Sequence, residues 1–346
     1  MRETYKYTSL KIQGPPRLLI KCFFIIGGLA VFGVLLIFTY DNIKRQRYES
    51  PFYSKDYACH DTITCRNKYN SSSIEETNDN SNQTISNVAF FTSLYSDEYL
   101  KGTMLLGYTI KKHHPNHEMY LIYFKEKVSE STLCQVRAMG WKTKAIERIP
   151  PPWEGAPAIF IDQFSKLQIW SFVEFKDGII YLDSDTIVVK RVDQLFELIK
   201  PSTGFEFAAA PDVLWGKDSN NFNAGFMLLK PDKYVYAEMM RTHKIKGSYD
   251  IGFAEQSFLN EFFRYRYLRL PETFNINLSI MDLNPHLWKM LLPDMHVVHY
   301  TEQKPFKNPN PGIYVEPYKL WNSLYEEMDK TMNLSGIESI CEKTEQ

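Results

Sequence analysis

From Val88 onward the apolar residues follow two periods. Short runs such as VAFFTS, MYLIYF, IIYL, FEFAAA, FMLLK, YLRL and HVVHY have the length and the β-branched or aromatic content of strands. Between them, apolar positions recur every three or four residues: Leu100, Met104 and Tyr108 behind a Ser96 cap, then Phe164, Leu167, Trp170 and Val173 as far as Gly178, then Val192, Leu195, Phe196 and Ile199. This alternation predicts an α/β domain whose mainly parallel, twisted sheet is covered by helices on both faces. The sequence shows no internal repeat.

Before Val88 the pattern changes. Residues 22–40, CFFIIGGLAVFGVLLIFTY, carry no charge, and as a helix they would extend roughly 28 Å, about the hydrocarbon thickness of a bilayer. The run passes into DNIKRQR without a small-residue cleavage site, which predicts a retained single-pass anchor behind a cytoplasmic tail, residues 1–21. Basic residues flank both sides, so the positive-inside bias is modest. Residues 41–87 end in SSSIEETNDNSNQTISN, too polar to bury a core, and read as a flexible stem. The folded domain is expected over residues 88–325, followed by a C-terminal tail, 326–346, of a short helix and a frayed end.

Composition narrows the class. Lys plus Arg number 40 against 41 Asp plus Glu, and no long single-sign run argues for a nucleic-acid partner. Asn-x-Ser/Thr triplets at Asn70, Asn82, Asn277 and Asn333 accompany the anchor and lean toward a lumenal domain. Cys22 lies in the anchor, Cys134 reads as a packed core residue, and a bridge between Cys59 and Cys65 stays open. The HHPNH stretch with His113, His114 and His117 reads as a surface turn, because Pro115 breaks a helix and no partner has zinc spacing.

The chemistry begins where the strand IIYL meets Asp183 and Asp185. Ligand crevices of parallel sheets lie beyond the carboxyl ends of the strands. In an extended segment residues i and i+2 point the same way, so both carboxylates can converge on one hard divalent cation with Ser184 facing away. The competing reading is a turn that favours Asp. Neither a GxGxxG nor a GxxxxGK[ST] loop is present.

Several stretches then occur in a fixed order: VAFFTSLYSDEYLKGTMLLG, FSKLQIWSFVEFKDGIIYLDSDTIVVKRVDQLFEL, FAAAPD, NFNAGFMLLKP, AEQSFLNEFF and VVHYTEQKPF. Over roughly residues 88 to 310 the chain resembles the glycogenin-type enzymes of glycosyltransferase family 8. The resemblance implies a GT-A-like, Rossmann-like fold. It also implies retaining, manganese-dependent transfer of a hexose from a UDP-sugar to a carbohydrate or glycoprotein hydroxyl, with Mg2+ as the alternative ion. It assigns the metal to Asp183, Asp185 and His299, the diphosphate to Lys304, and the donor near its phosphates to Lys166. Phe91, Thr92, Leu94 and Tyr99 match positions that embrace uracil and ribose. Asp212, Asn223, Ala224, Gly225, Glu255 and Gln256 match positions lining the hexose, with Asp212, Glu255 and Gln256 nearest the chemistry.

Taken alone, the same residues have plainer readings. His299 is a strand end, Tyr99 packs its helix, Lys166 and Lys304 are solvated charges, and Asn-Ala-Gly is a turn. The chain departs from the glycogenins at Glu302, where they place Gly between the His and the Lys at a longer spacing, and at Glu255, where they use Asp. An anchor, stem and domain in that order, with a short span, predict a single-pass type II Golgi protein with its domain in the lumen. N-acetylglucosamine or glucose is the expected sugar. Two other readings stand: a binding module for nucleotide sugars or glycans without turnover, and a cytosol-facing primer that glucosylates itself as glycogenin does.

Overall fold

The computed structural model describes residues 88–200, 203–212 and 221–343. The anchor, the stem, Cys59, Cys65, Asn70 and Asn82 lie outside the described residues, and no helix among the described residues is long and apolar enough to cross a membrane.

The chain enters through strand β1 (Ala89–Leu94), a short 3-10 turn (Asp97–Tyr99) and helix α1 (Leu100–His113). Ser96 precedes that turn in an extended conformation but makes no side-chain cap, a departure from its expected role. Next come β2 (Met119–Tyr123), α2 (Glu130–Ala138) and β3 (Trp141–Ala145). The segment expected to run helically to Gly178 is a 3-10 helix that stops at Ser171, spanning Gln163–Ser171. Strands β4 (Ile179–Leu182) and β5 (Thr186–Val188) follow, then α3 (Gln194–Leu198), β6 (Phe207–Pro211), β7 (Phe222–Leu229), α4 (Lys233–Thr242) and α5 (Ala254–Phe262). The remainder is β8 (Leu268–Arg269), β9 (Ile276–Asn277), α6 (Ser279–Leu283), α7 (Pro285–Leu291), β10 (Val297–His299), α8 (Val315–Met332) and α9 (Leu334–Glu342).

Seven strands form one sheet in the order β3-β2-β1-β4-β7-β6-β8. The pairs β3/β2, β2/β1, β1/β4 and β6/β8 are parallel, while β7 runs antiparallel to both β4 and β6. The sheet is therefore mixed, parallel from β3 to β4, with β7 reversing direction beside β4. Alternation along the strands sorts side chains to two faces. Phe90 and Leu94 of β1 join Ile180 and Leu182 of β4 in one core under α1 and α8. Phe91, Ile179 and Tyr181 join Phe164, Leu167, Trp170 and Phe258 in the other. Both faces are buried, as the continuous apolar strands require.

A second sheet, β5-β10-β9, stands beside the first. Its small size belies its role, because it brings residue 299 back to the end of β4.

Two expectations about the periphery change. Cys134 is half-buried and bonded to Cys341, so it is not a core thiol. The bond ties α9 to α2, and the C-terminal helices run on to Glu342 where a short helix and a frayed end were expected. Asn333, with φ of 55°, breaks α8 from α9 in the left-handed conformation that ends many helices. The HHPNH stretch is also not simply a surface turn. His114 is buried, its Nε2 accepts the Val192 N–H at 3.1 Å, and its ring lies 5.2 Å from that of Phe90. His117 stacks on Phe196 with ring centroids 4.6 Å apart. These histidines fill the core under β1.

Candidate active site

At the end of β4 the backbone does not continue extended. The Thr186 N–H and hydroxyl both donate to the Asp183 carbonyl, at 3.1 and 2.7 Å, which closes a tight turn over Asp183–Thr186. The turn reading of Asp-x-Asp is therefore the correct local conformation, and the carboxylates converge by turning rather than by strand alternation. The Asp183 N–H still reaches the Gly225 carbonyl of β7 at 2.9 Å, which anchors the turn to the sheet. Helix α1 lies against it so closely that a Cβ at Gly102 would stand 2.5 Å from the Ser184 carbonyl oxygen.

The second sheet supplies the third candidate ligand. β5 pairs antiparallel with β10 so that Thr186 faces His299, and the Tyr300 N–H donates to the Asp185 carbonyl at 2.9 Å. One oxygen from each aspartate and one ring nitrogen of His299 consequently lie within 4.8 Å of one another, the one such group of three among the described residues. His299 Nε2 is 3.1 Å from Asp185 Oδ1 and 3.9 Å from Asp183 Oδ2.

Each aspartate also faces a lysine. Lys304 Nζ lies 2.9 Å from Asp185 Oδ2 and donates to the carbonyls of Tyr300 and Thr301 at 2.9 and 3.1 Å. Lys166 lies 2.9 Å from both Asp183 Oδ1 and Glu255 Oε1, and donates to the Ala224 carbonyl at 3.3 Å. Its side chain is 1% exposed, so the reading of Lys166 as a solvated helix charge is wrong: a buried ammonium stays charged only with partners, and here two carboxylates and a carbonyl satisfy all three protons. Burial alone would lower the Lys166 pKa, but Asp183 and Glu255 outweigh it and raise the value. Asp185 shows the converse, since burial resists its charge while Lys304 and His299 hold it well below the usual carboxylate range. Burial pushes Glu255 upward against the pull of Lys166. Lys304 is likewise penalised by burial yet raised overall by Asp185. Tyr181, 2.8 Å from Asp183 Oδ1 and 2.7 Å from Ser93 Oγ, adds a hydroxyl that no sequence motif marks.

The donor set suits a hard or borderline divalent ion. Two carboxylates bring charge, and the imidazole brings one nitrogen whose partner, Nδ1, is already engaged 3.1 Å from Asn275 Oδ1. Gly225 makes room for that ring: a Cβ there would overlap His299 and stand 2.6 Å from Nδ1. The expected role of Gly225 as a close approach to sugar is thus joined by a nearer constraint inside the protein.

The residues matched to the hexose gather along β7 and the start of α5. Asn223 Nδ2 reaches Asp212 Oδ2 at 3.4 Å, Gln256 Nε2 donates to the same oxygen at 2.8 Å, and Gln256 Oε1 accepts the Ala224 N–H at 3.0 Å. Glu255 follows Ala254, which is held at φ of 46° and ψ of −130°. That conformation is costly for a residue with a Cβ, of order 1–3 kcal/mol, and turns the first residues of α5 toward Lys166.

The residues matched to uracil and ribose divide. Phe91 and Leu94 are wholly buried, and the Phe91 ring stacks on Tyr120 at 5.1 Å, so their side chains serve the core and only backbone atoms remain to meet a base. Thr92 is buried with its hydroxyl unpartnered. Tyr99 is half-buried, its ring under Lys307 Nζ at 4.1 Å and edge-on to Phe306 at 5.6 Å. Asn277 of the third Asn-x-Ser triplet is buried in β9, whereas Asn333 of the fourth is exposed.

The sequence model of glycosyl transferase family 8 matches residues 91–308, a span that contains every residue placed above in the metal, phosphate and sugar groups. The chain belongs to glycosyl transferase family 8. Among curated proteins it is similar to an inositol phosphorylceramide glucuronosyltransferase of Arabidopsis thaliana, 28% identical over 275 residues, covering 72% of this chain and 48% of that protein. It is also similar to galactinol synthase 1 of Solanum lycopersicum, 28% identical over 246 residues, covering 64% of this chain and 74% of that protein. The chain thus spans about half the length of the first of these relatives. Among solved structures, the galactosyltransferase LgtC bound to donor and acceptor sugar analogues superposes with a TM-score of 0.52 at 15% identity, over 69% of this chain and 95% of LgtC. That likeness bears out the GT-A-like fold.

Proposed function

We propose that this family 8 chain is a retaining hexosyltransferase that moves a neutral hexose from a UDP-sugar to a carbohydrate or glycoprotein hydroxyl, with Mn2+ held by Asp183, Asp185 and His299. The observation that carries the reading is the convergence of those three ligating groups within 4.8 Å at the mouth of the sheet. A bound divalent ion supplies Lewis-acid neutralisation of a diphosphate leaving group. The protein's own part is to place cations and donors around that charge as it develops. Lys304, poised on Asp185, is the side chain able to meet phosphate oxygens. Lys166 keeps Asp183 and Glu255 in place from beneath.

At the sugar end, Asp212 and Glu255 bring negative charge and Asn223 and Gln256 are neutral, while Lys166 is committed to two carboxylates. Such a lining favours a neutral hexose over a hexuronate, consistent with N-acetylglucosamine or glucose. Glu255 is ion-paired and Asp212 accepts hydrogen bonds from Gln256 and Asn223, which weakens both as nucleophiles and favours attack on the leaving-group face.

We further propose that the domain lies in the Golgi lumen, behind a type II anchor. The Cys134–Cys341 bond supports this, since such bonds persist in oxidising compartments. Exposure of Asn333 is compatible with it. A screen of UDP-glucose, UDP-N-acetylglucosamine, UDP-galactose, UDP-xylose and UDP-glucuronate for manganese-dependent hydrolysis tests the reaction and the sugar together. Asp185→Asn is expected to abolish turnover with any donor while leaving the fold intact; substantial turnover by that variant at saturating manganese refutes the metal assignment.

A further inference from the structure

We infer that Asn275 is the positioning residue that dictates which imidazole nitrogen of His299 faces the two aspartates, and that it ties this ring to the sugar end of the site. The inference rests on the function proposed above and names a residue that the sequence motifs pass over. The two ends of an amide side chain look alike in shape, but not in hydrogen bonding. The order of donors here is set from the backbone. The Gly225 N–H, which can only donate, points at Asn223 Oδ1 at 2.9 Å and so fixes the carbonyl end of Asn223. Asn275 must therefore turn its amide nitrogen to that same oxygen, which it does at 2.9 Å. Its own carbonyl oxygen is left facing His299 Nδ1 at 3.1 Å, and that nitrogen has to carry a hydrogen. Nε2 is thereby the atom presented to Asp185 and Asp183.

The chain continues in the other direction. The Ala224 N–H pins Gln256 by its Oε1, so Gln256 Nε2 must donate to Asp212 Oδ2, the oxygen that Asn223 Nδ2 also approaches. Two adjacent backbone N–H groups on β7 thus set every amide between the metal imidazole and the hexose-side carboxylate. Asn275 is 1% exposed and Asn223 7%, so bulk water does not compete for these bonds. Close packing of Gly225 under the ring removes the alternative of rotating His299 aside.

The test uses the full-length chain and free Mn2+, titrated by electron paramagnetic resonance, with circular dichroism as the control for folding. Asn275→Leu, similar in size but unable to accept a hydrogen bond, is expected to weaken Mn2+ binding about 10–100-fold, the usual cost of losing the group that orients a metal-bound histidine. Asn275→Asp keeps an acceptor for Nδ1–H but sets its second oxygen against Asn223 Oδ1, so it is expected to bind Mn2+ more tightly than Asn275→Leu and more weakly than the wild type. A folded Asn275→Leu chain with wild-type affinity overturns the inference, as does an Asp variant that loses as much as the Leu variant. His299→Ala separates the two levels: if it too binds Mn2+ like the wild type, the metal reading itself falls. Should Asn275→Leu fail to fold, the 15N imidazole spectrum of the wild-type chain decides, with a proton on His299 Nδ1 in support and a bare Nδ1 against.

Discussion

Gly225 and His299 share a space that admits only one of them with a side chain: the glycine, on β7, lies flat against the imidazole that β10 brings in from the second sheet. Gly225→Ala is expected to displace the ring by the overlap it creates. A displacement on the scale of 1 Å costs about 100-fold in rate at a catalytic centre, and overpacking costs roughly 1–3 kcal/mol of stability. Manganese-dependent donor hydrolysis beside a urea melt measures both. Unchanged hydrolysis would show that the ring is not needed where it sits.

Lys166 is the counter-charge for the buried Glu255 and the half-buried Asp183. Removing it as Lys166→Met leaves Asp183 and Glu255 facing each other without a cation, and the expected destabilisation is about 3–5 kcal/mol. Adding Glu255→Gln to the same chain removes one of the stranded charges and should recover a large part of that loss without restoring turnover. Denaturant unfolding of the single and double variants checks the sign; a double variant no more stable than Lys166→Met contradicts the pairing.

Acid should weaken the fold through His114. Burial lowers its pKa to about 4, with Asp193 opposing and His117 and Arg191 assisting, whereas the unfolded chain takes up the proton near 6.5. Folding therefore gains nothing from this group at higher pH. Stability is lost as pH falls from about 6.5 to about 4, because the unfolded state binds the proton first, by on the order of 3 kcal/mol in all. Melting temperatures across that window are expected to fall, and to fall less in His114→Gln, which can still accept the Val192 N–H. Equal slopes in the two chains would assign the acid sensitivity elsewhere.

How far the sequence reached can be judged at particular residues. Asp183 and Asp185 announce themselves because a buried apolar strand has no use for two carboxylates at its end, whereas His299 and Lys304 were singled out only through the family resemblance. The turn that joins the aspartates was not legible, since a three-residue step from one strand to the next reads equally well as an extended strand end. The plain reading of Lys166 as a solvated charge failed because a helical pattern records which positions are apolar but not which charge lies under a neighbouring carboxylate. Cys134 and Cys341 are far apart in sequence, and nothing local to either names the other. Asn275 gave no signal at all, standing in PETFNINLSI as one polar residue before a strand; only a burial pattern with its partners in view could have marked it. The antiparallel course of β7 escaped for a related reason, as apolar runs carry length but no direction.

The sulfur bridge between residues 134 and 341 has a topological consequence. It closes a covalent ring around Lys166, the acidic pair, the amide relay, His299 and Lys304, while β1 and Tyr99 remain on the open arm of the chain. A protease that severs one backbone bond inside that ring releases no fragment, so the nicked protein would keep those residues in one molecule until a reductant opens the circle.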